Sequence, residues 1–439
     1  MHKRLYIETY GCQMNKSDSE LIAGLFKASG YVLAGEPESA DVILVNTCAV
    51  REHAEDRAFG RIASFKRYKQ GNPDVVLGIC GCMAQHLGRR ILQRIPFVDL
   101  LVGPDAYRRL PEIVDQTRDD GPFFGLQLDK REHYVGIEPI RARDVNAWIT
   151  VMRGCDKFCS FCIVPYVRGR ERSIPAQEIL TQVRALAAQG YKEITLLGQT
   201  VTSYNDGTMD FAHLLGAVSE VEGIKRVRFT APHPVDFSEK LIRTMAAREE
   251  ICNHIHLPIQ SGSDRMLKAM RRGYTSGAYR RLVHRIREEI PGVSLTTDVM
   301  VGFPGEMEED FRATYNMMQE VRYDSAFMFR YSPRKGTIAS RRLEDDVPDG
   351  AKAERLQAII DLQESISKEI NRGLMGKTFE VLVVGKSRKG EGAFFGKTAQ
   401  FKTTIFPQKA AVNTLVAVRV VDANAHTLFG ELVQESAET

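Results

Sequence analysis

Apolar and polar positions follow two alternating rhythms over residues 3–118. Short apolar runs are typical of buried strands, and the stretches between them repeat apolar positions every three to four residues, as helices do. This order predicts a small parallel sheet with crossover helices. The predicted strands are 5–10, 41–46 and 75–79, and the predicted helices are 19–29 and 52–68.

A second rhythm begins after residues 119–141, whose mixed charges and scattered Gly and Pro indicate a linker. Between residues 142 and 372, six strand-like runs recur with helical patterns between them. The repeated β/α order predicts a partial (β/α)6 barrel, whose functional residues lie at the carboxyl ends of its strands. The runs are 148–152, 193–197, 226–230, 254–259, 294–301 and 325–331.

A charged helix with one apolar stripe is predicted over residues 351–371. From Thr378 onward the period changes to two, which predicts a small all-β module within residues 373–436. The expected fold class is therefore α/β and multidomain. It comprises a small N-terminal parallel α/β sheet, a central partial barrel and a C-terminal all-β barrel.

Composition adds limits on location and on the role of the cysteines. The 439 residues, of which 43% are hydrophobic, are enough for several cores, and a net charge of +4 decides nothing about partners. The N-terminus has no secretory pattern, and no apolar run is long enough to span a membrane, so we expect a cytoplasmic protein. Disulfides are rare in that compartment, so the eight cysteines are better metal ligands or core residues.

Three of these cysteines are crowded into eight residues, at Cys155, Cys159 and Cys162, with no fourth cysteine nearby. Structural zinc takes four closed ligands, typically in two paired motifs, and no second pair follows here. Half of a zinc ribbon, a redox sensor or chance spacing are thus the less favoured interpretations. Three thiolates better suit an iron-sulfur cluster that leaves one iron open. The loop follows the first barrel strand, at the end where catalysis is expected.

Three further cysteines, Cys12, Cys48 and Cys82, each follow one of the predicted N-terminal strands. The carboxyl ends of neighbouring parallel strands meet at one edge, where open α/β sheets bind ligands. We therefore predict a second cluster at this edge. Cys80 continues an apolar strand, and Cys252 precedes one without a partner cysteine, so both are expected in the core.

The first half of the C-terminal module is basic and aromatic, with only Glu380 and Glu391 opposing its charge. Such a β-barrel face is typical of RNA binding, although a charge cluster is also common on a merely solvated face. The residues concerned are Lys377, Lys386, Arg388, Lys389, Lys397, Lys402 and Lys409, with Phe394, Phe395, Phe401 and Phe406.

An open iron can be chelated by the amino and carboxylate groups of S-adenosylmethionine, whose reductive cleavage yields a 5′-deoxyadenosyl radical. Four side chains are candidates for contact with this cofactor. Phe161 lies between the last two cysteines and would pack on the adenine, whereas Gln199, Gln260 and Asp298 lie at ends of barrel strands. Each has a structural alternative, which is core packing for Phe161 and structural hydrogen bonding for the three polar residues.

Taken together, these residues resemble one known family over essentially the whole chain. The CxxxCxxC run resembles the radical S-adenosylmethionine superfamily, and its combination with an upstream three-cysteine domain and a downstream basic module resembles the methylthiotransferases. Within these, the chain is most similar to the MiaB type, which acts on tRNA. The similar runs are 8–15, 46–51, 81–85, 155–162, 163–171 and 256–263.

The resemblance implies two 4Fe-4S clusters, an auxiliary one on Cys12, Cys48 and Cys82 and a radical one on Cys155, Cys159 and Cys162. It also implies a C-terminal TRAM domain that binds RNA. The implied reaction replaces the C2 hydrogen of an N6-prenylated adenosine next to the anticodon of tRNA with a methylthio group. Two molecules of S-adenosyl-L-methionine would be used per turnover, one for the radical and one for the methyl group, while sulfur passes through the auxiliary cluster.

The resemblance implies reduced flavodoxin or ferredoxin as the electron donor, and it leaves the sulfur donor unspecified. Nothing in the sequence indicates an obligate dimer, so a monomer is expected. The family pattern is not complete. Thr200 and Thr202 stand where asparagine is usual, Lys335 replaces proline and Lys397 replaces arginine. A lysine meets a phosphate as a point charge but loses the two-pronged contact of arginine, so these changes bear on substrate contacts.

Two related activities remain as alternatives: methylthiolation of threonylcarbamoyladenosine in tRNA, and of an aspartate in a ribosomal protein. The run from Gln13 to Asn15 and the basic C-terminal module favour tRNA. A non-catalytic iron-sulfur protein that binds RNA is a further alternative. Such a protein would not require six barrel units around an open iron.

Overall fold

The computed structural model describes residues 2–49, 52–117, 121–141, 145–388 and 392–433, and it leaves out the side chains of residues 52–54. Some predicted features therefore lie outside the described residues. These are residues 50–51 of the run 46–51, the start of the linker, the start of the central region, the end of the C-terminal module, and Lys389 and Glu391 of the basic segment.

The N-terminal region forms a six-stranded parallel sheet in the order β2-β1-β3-β4-β5-β6. Apolar clusters cover both faces of this sheet, which is why β3 and β4 are buried along their whole length. The strands are β1 (Arg4–Tyr10), β2 (Val32–Leu33), β3 (Val42–Thr47), β4 (Val76–Gly81), β5 (Leu100–Val102) and β6 (Phe123–Gly125). The helices are α1 (Gln13–Ala28), α2 (Glu52–Ser64), α3 (Lys66–Gly71), α4 (Cys82–Leu87), α5 (Ile91–Arg94) and α6 (Leu110–Gln116).

The segment predicted as a linker contributes to this domain. Strand β6 pairs with β5 and completes the sheet. Further along the segment, Tyr134 is buried, stacks on Tyr107 with 5.8 Å between ring centroids, and donates a hydrogen bond to the carbonyl of Pro104. The segment is therefore packed against the sheet. Its Gly and Pro content indicated a linker, but its few aromatic residues are buried against the domain.

The central region is a partial (β/α)6 barrel, as predicted. Two parallel three-stranded sheets, β7-β10-β11 and β12-β13-β14, are joined by a bridge between Val227 and Ile251. The strands are β7 (Asn146–Thr150), β8 (Met152–Arg153), β9 (Arg172–Ser173), β10 (Glu193–Leu197), β11 (Arg226–Phe229), β12 (His254–His256), β13 (Ser294–Val301) and β14 (Ser325–Arg330). The helices are α7 (Val164–Arg168), α8 (Ala176–Ala188), α9 (Phe211–Ser219), α10 (Glu239–Ala246), α11 (Asp264–Ala269), α12 (Ser276–Glu289), α13 (Glu308–Val321), α14 (Ile338–Arg342) and α15 (Asp349–Arg372).

The C-terminal region is a closed five-stranded barrel in the order β15-β16-β17-β19-β18. The predicted fold class is thereby confirmed in all three regions. Among the described residues, no helix combines the length and the apolar character needed to cross a membrane. The strands are β15 (Thr378–Lys386), β16 (Phe394–Thr398), β17 (Thr403–Phe406), β18 (Leu415–Ala423) and β19 (Thr427–Leu432).

The turn between β16 and β17 packs against the amino-terminal end of the central barrel, and we call residues 399–402 the barrel plug. Arg228 donates hydrogen bonds to the carbonyls of Thr398 (2.7 Å) and Ala399 (2.9 Å). The Phe401 ring stacks on His254 with 5.1 Å between centroids, and Lys402 pairs with Asp324 at 2.6 Å.

This docking divides the basic, aromatic set that the sequence suggested as an RNA-binding face. Lys397 and Lys402 lie in the contact between the two barrels, because their charges meet the Phe401 ring and Asp324. Phe394 and Phe406 are buried in the core of the C-terminal barrel. The described members of the set that remain exposed on the surface are Lys377, Lys386, Arg388 and Lys409, with Phe401 partly exposed.

Candidate functional site

The first group of thiols, the auxiliary triad, comprises Cys12, Cys48 and Cys82. Cys12 precedes the first residue of α1, Cys48 follows β3, and Cys82 is the first residue of α4. Strands β1, β3 and β4 are neighbours in the sheet, so their carboxyl ends bring the three cysteines to one edge. This is the edge at which open parallel sheets bind ligands.

Close packing requires a glycine before two of these cysteines. A Cβ atom on Gly11 would lie 2.3 Å from the Asn15 side-chain oxygen and 2.8 Å from the Cβ of Cys48. Gly81 has a φ of +95°, and a Cβ atom there would lie 2.5 Å from the side-chain oxygen of Asn46. The backbone at both positions therefore has room for glycine alone.

Buried amides hold the three loops in place. The Asn15 amide donates to the Asn46 side-chain oxygen (3.1 Å) and to the Thr47 carbonyl (3.3 Å). Asn46 donates in return to the Asn15 carbonyl (2.9 Å), and the Thr47 hydroxyl donates to the Cys80 carbonyl (3.0 Å). Because these bonds join the ends of all three strands, the spacing of the thiols is set before any ligand binds.

The thiols of the auxiliary triad differ in their electrostatic surroundings. A hydrogen bond with Cys48 lowers the pKa of the exposed Cys12 to about 6, with a further contribution from the charge of Arg168. Burial raises the pKa of Cys82, against the opposing charge of Arg168. The Arg168 Nε group donates directly to the Cys82 sulfur at 3.1 Å.

The second group, the radical triad, comprises Cys155, Cys159 and Cys162 in the loop between β8 and α7. Gly154 has a φ of +80°, and a Cβ atom there would lie 2.0 Å from the Arg170 carbonyl. Burial raises the pKa of Cys155 and raises that of Cys162 to about 12. Such thiols stay protonated at neutral pH until a coordinating metal ion displaces the proton from the sulfur.

Polar side chains from two other segments reach the sulfurs of the radical triad. The Cys155 sulfur and the Thr200 hydroxyl share a hydrogen bond at 3.0 Å. Arg272 donates to the Cys159 sulfur at 3.2 Å and to the Pro258 carbonyl at 3.0 Å. These donors favour a negatively charged sulfur.

The two triads meet at the seam between the N-terminal domain and the central barrel. Cys82 packs in one apolar cluster with Ile163, which follows Cys162 directly, and with Val167 of α7. The fully buried carboxylate of Asp18, on α1, binds both Arg153 and Arg168 at 2.8 Å. Arg153 lies two residues before Cys155, so one carboxylate ties the two thiol loops together.

The donor set fits iron-sulfur clusters. In the described ranges, no three or more His, Cys, Asp or Glu side chains are arranged around a single metal ion. A four-iron cluster makes no such demand, because each thiolate binds a different iron. One buried donor of Arg168, Nη1, also has no hydrogen-bond partner beside the auxiliary triad, where an anionic cluster would provide one.

The four predicted cofactor contacts lie around the carboxyl end of the barrel but not in one group. Phe161 packs in an apolar cluster with Met266, Met270 and other residues. The side-chain oxygen of Gln199 accepts a hydrogen bond from the Gly154 backbone, a structural role at the start of the radical loop. Whether they also touch a cofactor stays a prediction.

The other two predicted contacts lie beside each other. Gln260 has a φ of +69° and bonds through its backbone to Asp298 (2.8 Å) and Met300 (2.9 Å) of β13. The Asp298 carboxylate lies 3.4 Å from His256 on the inner face of the barrel. In the sheet, Asp298 of β13 pairs with Phe327 of β14. Their contact with the cofactor is likewise untested.

Several residues at the site escaped the sequence analysis. They are Asp18, Arg153, Arg168 and Arg272, together with Thr200, which had been noted only as a departure from a family pattern. Arg153 and Arg168 are each followed by glycine and lie next to the loop of the radical triad in the sequence. That placement could have indicated a role at the site. Their shared partner Asp18 had none, because it lies 135 and 150 positions away.

Comparison with protein families gives three matches along the chain. Residues 4–103 match the uncharacterized protein family UPF0004, residues 149–318 match the radical SAM superfamily, and residues 374–433 match the TRAM domain. The auxiliary triad falls within the first match and the radical triad within the second.

Curated relatives match over almost the full length. A tRNA-2-methylthio-N(6)-dimethylallyladenosine synthase of Porphyromonas gingivalis is 46% identical over 442 residues, covering 98% of this chain and 95% of the relative. The enzyme of the same name from Chloroherpeton thalassium is 44% identical, covering 97% and 95%.

Among solved structures, the radical S-adenosylmethionine methyltransferase TsrM of Kitasatospora setae superposes with a TM-score of 0.58. The superposition covers 77% of this chain and 74% of that one at 14% sequence identity. At this identity the likeness concerns the fold alone.

Proposed function

The chain belongs to the family of tRNA-2-methylthio-N(6)-dimethylallyladenosine synthases, and on this premise we propose that it adds a methylthio group at C2 of an N6-dimethylallyl adenosine in tRNA. The single observation that carries the proposal is the meeting of two thiol triads at one seam, where Cys82 packs against the helix that follows Cys162. C–H activation and sulfur insertion require two reactive centres close together, and this arrangement supplies sites for both.

The residues of each triad would hold one 4Fe-4S cluster. When bound, the cluster of the radical triad supplies the open iron and the reducing electron for S-adenosylmethionine, and that of the auxiliary triad supplies the site for sulfur. Two molecules of S-adenosylmethionine would be used per turnover, one as radical source and one as methyl donor.

The chain's own side chains orient this chemistry. Arg272 and Thr200 hold the sulfurs of Cys159 and Cys155 in place, and Asp18 fixes the two arginines that border the loops. Gln260 and Asp298 lie on the inner side of the barrel, where they are candidates for contact with the cofactor.

Partners follow from the same premise. The C-terminal barrel, a TRAM domain, would bind tRNA through its exposed basic residues Lys377, Lys386, Arg388 and Lys409. Reduced flavodoxin or ferredoxin would deliver the electron, and the enzyme would act as a monomer in the cytoplasm.

Deletion of the gene tests the proposal directly. Nucleosides from total tRNA of the deletion strain, analysed by mass spectrometry, should lack the 2-methylthio group while keeping the N6-dimethylallyl group. Complementation with the wild-type chain should restore the nucleoside, and complementation with Cys155→Ala should not. Cys252→Ala is a matched control, since Cys252 is buried in the core away from both triads. Persistence of the methylthio nucleoside in the deletion strain would refute the assignment.

A further inference from the structure

A cleft of about 900 Å³ lies between the N-terminal domain and the central barrel. One wall is α4 with the residues after it, including His86 and Arg90, and the other comprises Lys335 and Arg341 on either side of the start of α14. Tyr166, on α7, forms part of the floor. Nothing in the fold or in the cluster chemistry accounts for this cleft.

The floor of the cleft separates it from one of the thiols of the auxiliary triad. Its floor residues Ile163, Tyr166 and Val167 are also those that pack against Cys82 and Ala49 in the seam. Helix α4 begins at Cys82, and α7 begins two residues after Cys162. Two helices that line the cleft therefore start at or just after a cysteine of each triad.

The charge of the cleft is positive and uncompensated. Arg90, Lys335 and Arg341 are exposed, and none of them has an ion-pair partner in the part of the chain that the structure describes. No carboxylate is among the lining residues. The neighbouring Arg334, in contrast, turns inward and lies 3.8 Å from Glu55. Three unpaired cations around one opening favour a polyanion.

An aromatic track connects the cleft to the radical loop. The Arg341 guanidinium lies 5.6 Å from the centroid of the Tyr166 ring. Tyr166 meets Phe158, which lies between Cys155 and Cys159, edge to face at 6.1 Å. Cations that alternate with aromatic rings are the usual surface for single-stranded RNA, whose phosphates meet the cations while its bases stack on the rings.

The cleft is built in advance of any ligand. His86 Nε2 donates a hydrogen bond to the Lys335 carbonyl at 2.7 Å and so fixes one wall to the other. Arg90 donates to the carbonyls of His86 (3.0 Å) and Leu87 (3.2 Å), which anchors its side chain at the end of α4. Lys335 stands where the family pattern has proline, so this cation distinguishes the chain from that pattern.

We propose that this cleft binds the sugar-phosphate backbone of the tRNA anticodon loop beside the target adenosine, with Lys335 and Arg341 on phosphates and Tyr166 under a base. The proposal rests on the proposed function and adds a second RNA contact to that of the C-terminal barrel. It places the loop at the seam, and the exposed residues of the C-terminal barrel are left for more distant parts of the tRNA.

The test is the salt dependence of RNA binding by the full-length protein with reconstituted clusters. A labelled anticodon stem-loop RNA with N6-dimethylallyl adenosine is titrated at several salt concentrations, for the wild type and for Lys335→Gln/Arg341→Gln. The logarithm of the binding constant falls linearly with the logarithm of the salt concentration. Loss of two phosphate contacts on a single-stranded loop should make this slope shallower by about 1.4. The matched control is Arg243→Gln/Arg281→Gln, two exposed arginines on the outer helices α10 and α12 that form no ion pair with any residue the structure describes.

An unchanged slope in the cleft variant, or an equal change in the control, would overturn the proposal. Reductive release of 5′-deoxyadenosine without RNA should be unchanged in the cleft variant, which checks that the clusters are intact. A wild type that methylthiolates tRNA while the cleft variant keeps the full slope leaves the proposed function standing and removes the cleft proposal. A wild type that binds no anticodon RNA overturns both.

Discussion

At the scale of single residues, two cysteines only two positions apart have different surroundings. Cys80 lies inside the apolar core on one face of the N-terminal sheet, whereas Cys82 lies at the edge with its sulfur bound to Arg168. We expect Cys82→Ala to retain about four irons per chain after anaerobic reconstitution and Cys80→Ala to retain about eight. Iron and sulfide assays on the purified variants measure this. About eight irons in Cys82→Ala would remove Cys82 from the cluster ligands.

Arg168 provides a second prediction at this scale. Its N–H group and its charge both favour the more negative, reduced state of a cluster bound to Cys82. Arg168→Gln should lower the midpoint potential of the auxiliary cluster by on the order of 50–100 mV, the equivalent of one lost charged hydrogen bond. Arg168→Lys, which keeps the charge, should shift it less. Potentiometric titration followed by electron paramagnetic resonance measures the shift.

The matched control for this experiment is Arg170→Gln, since Arg170 is exposed and pairs with Asp156. If the potential is the same in Arg168→Gln and in the wild type, the contact with the Cys82 sulfur has no electronic role.

The sequence revealed the cysteines and not their partners, for a physical reason. A strand followed by glycine and cysteine is a local pattern, and parallel pairing brings such patterns to one edge. The bond from Arg168 to Cys82 spans 86 positions and depends on how two domains pack. Charge alone did not separate Arg168 from the many arginines on the surface.

At the scale of secondary structure, the prediction succeeded where apolar periodicity was long. Strands β10 and β13 have the predicted bounds. Helix α1 begins at Gln13, six residues before the prediction, because its first turns carry polar side chains that bind the cysteine loops. Strands of two or three residues, such as β2 and β6, are too short to show an apolar periodicity and were not predicted.

The barrel plug supplies a pH prediction at this scale. Burial lowers the pKa of His254 well below its usual value, and the charges of Arg228, His256, Lys397 and Lys402, which face it, act in the same direction. In the unfolded chain this imidazole has a pKa of about 6.5. Below that pH the unfolded chain takes up a proton that the folded chain refuses. The contribution of the neutral, buried His254 to the free energy of unfolding is therefore fully present above about pH 6.5 and decreases as the pH falls.

We accordingly expect the thermal midpoint of the protein to fall between about pH 7.5 and pH 5.5, and to fall less in His254→Gln. Anaerobic calorimetry across this range measures the difference. His284→Gln is the control, because His284 is exposed on α12. Equal pH dependence in wild type and His254→Gln would mean that His254 does not govern the stability of the plug.

At the scale of the whole molecule, the N-terminal domain and the central barrel are joined by buried ion pairs. Asp18 binds Arg153 and Arg168, and Asp105 binds Arg172 at 2.8 Å. Although burial alone would raise the pKa of Asp18, the guanidiniums of Arg168 and Arg153 hold it below its usual range. Removing one partner of a buried pair leaves uncompensated charges in the interior.

Asp18→Asn should therefore destabilise the protein by about 3–5 kcal/mol. The urea midpoint, followed by fluorescence, should fall accordingly. Asp115→Asn is the matched control. Its partner Lys3 is 43% exposed, and exposed pairs contribute less than about 1 kcal/mol. Similar midpoints for the two variants would show that the Asp18 bridge does not hold the domains together.

Domain docking lay beyond the reach of the sequence. The contact between the two barrels consists largely of arginine bonds to backbone carbonyls of Lys397, Thr398 and Ala399. Every residue carries such a carbonyl, so no residue pattern distinguishes these acceptors. The basic character of the segment was visible in the sequence, but its division between interface and surface was not.

The position of the barrel plug also bears on how the protein is made. The six strands of the central barrel end at Arg330, but the turn that packs against their amino-terminal end comes from residues 399–402, in the C-terminal barrel. Synthesis proceeds from the N-terminus, and domains fold as they emerge from the ribosome. The amino-terminal end of the central barrel therefore stays uncovered until the C-terminal barrel has been translated, so the contact between the two barrels forms after all the central strands have been made.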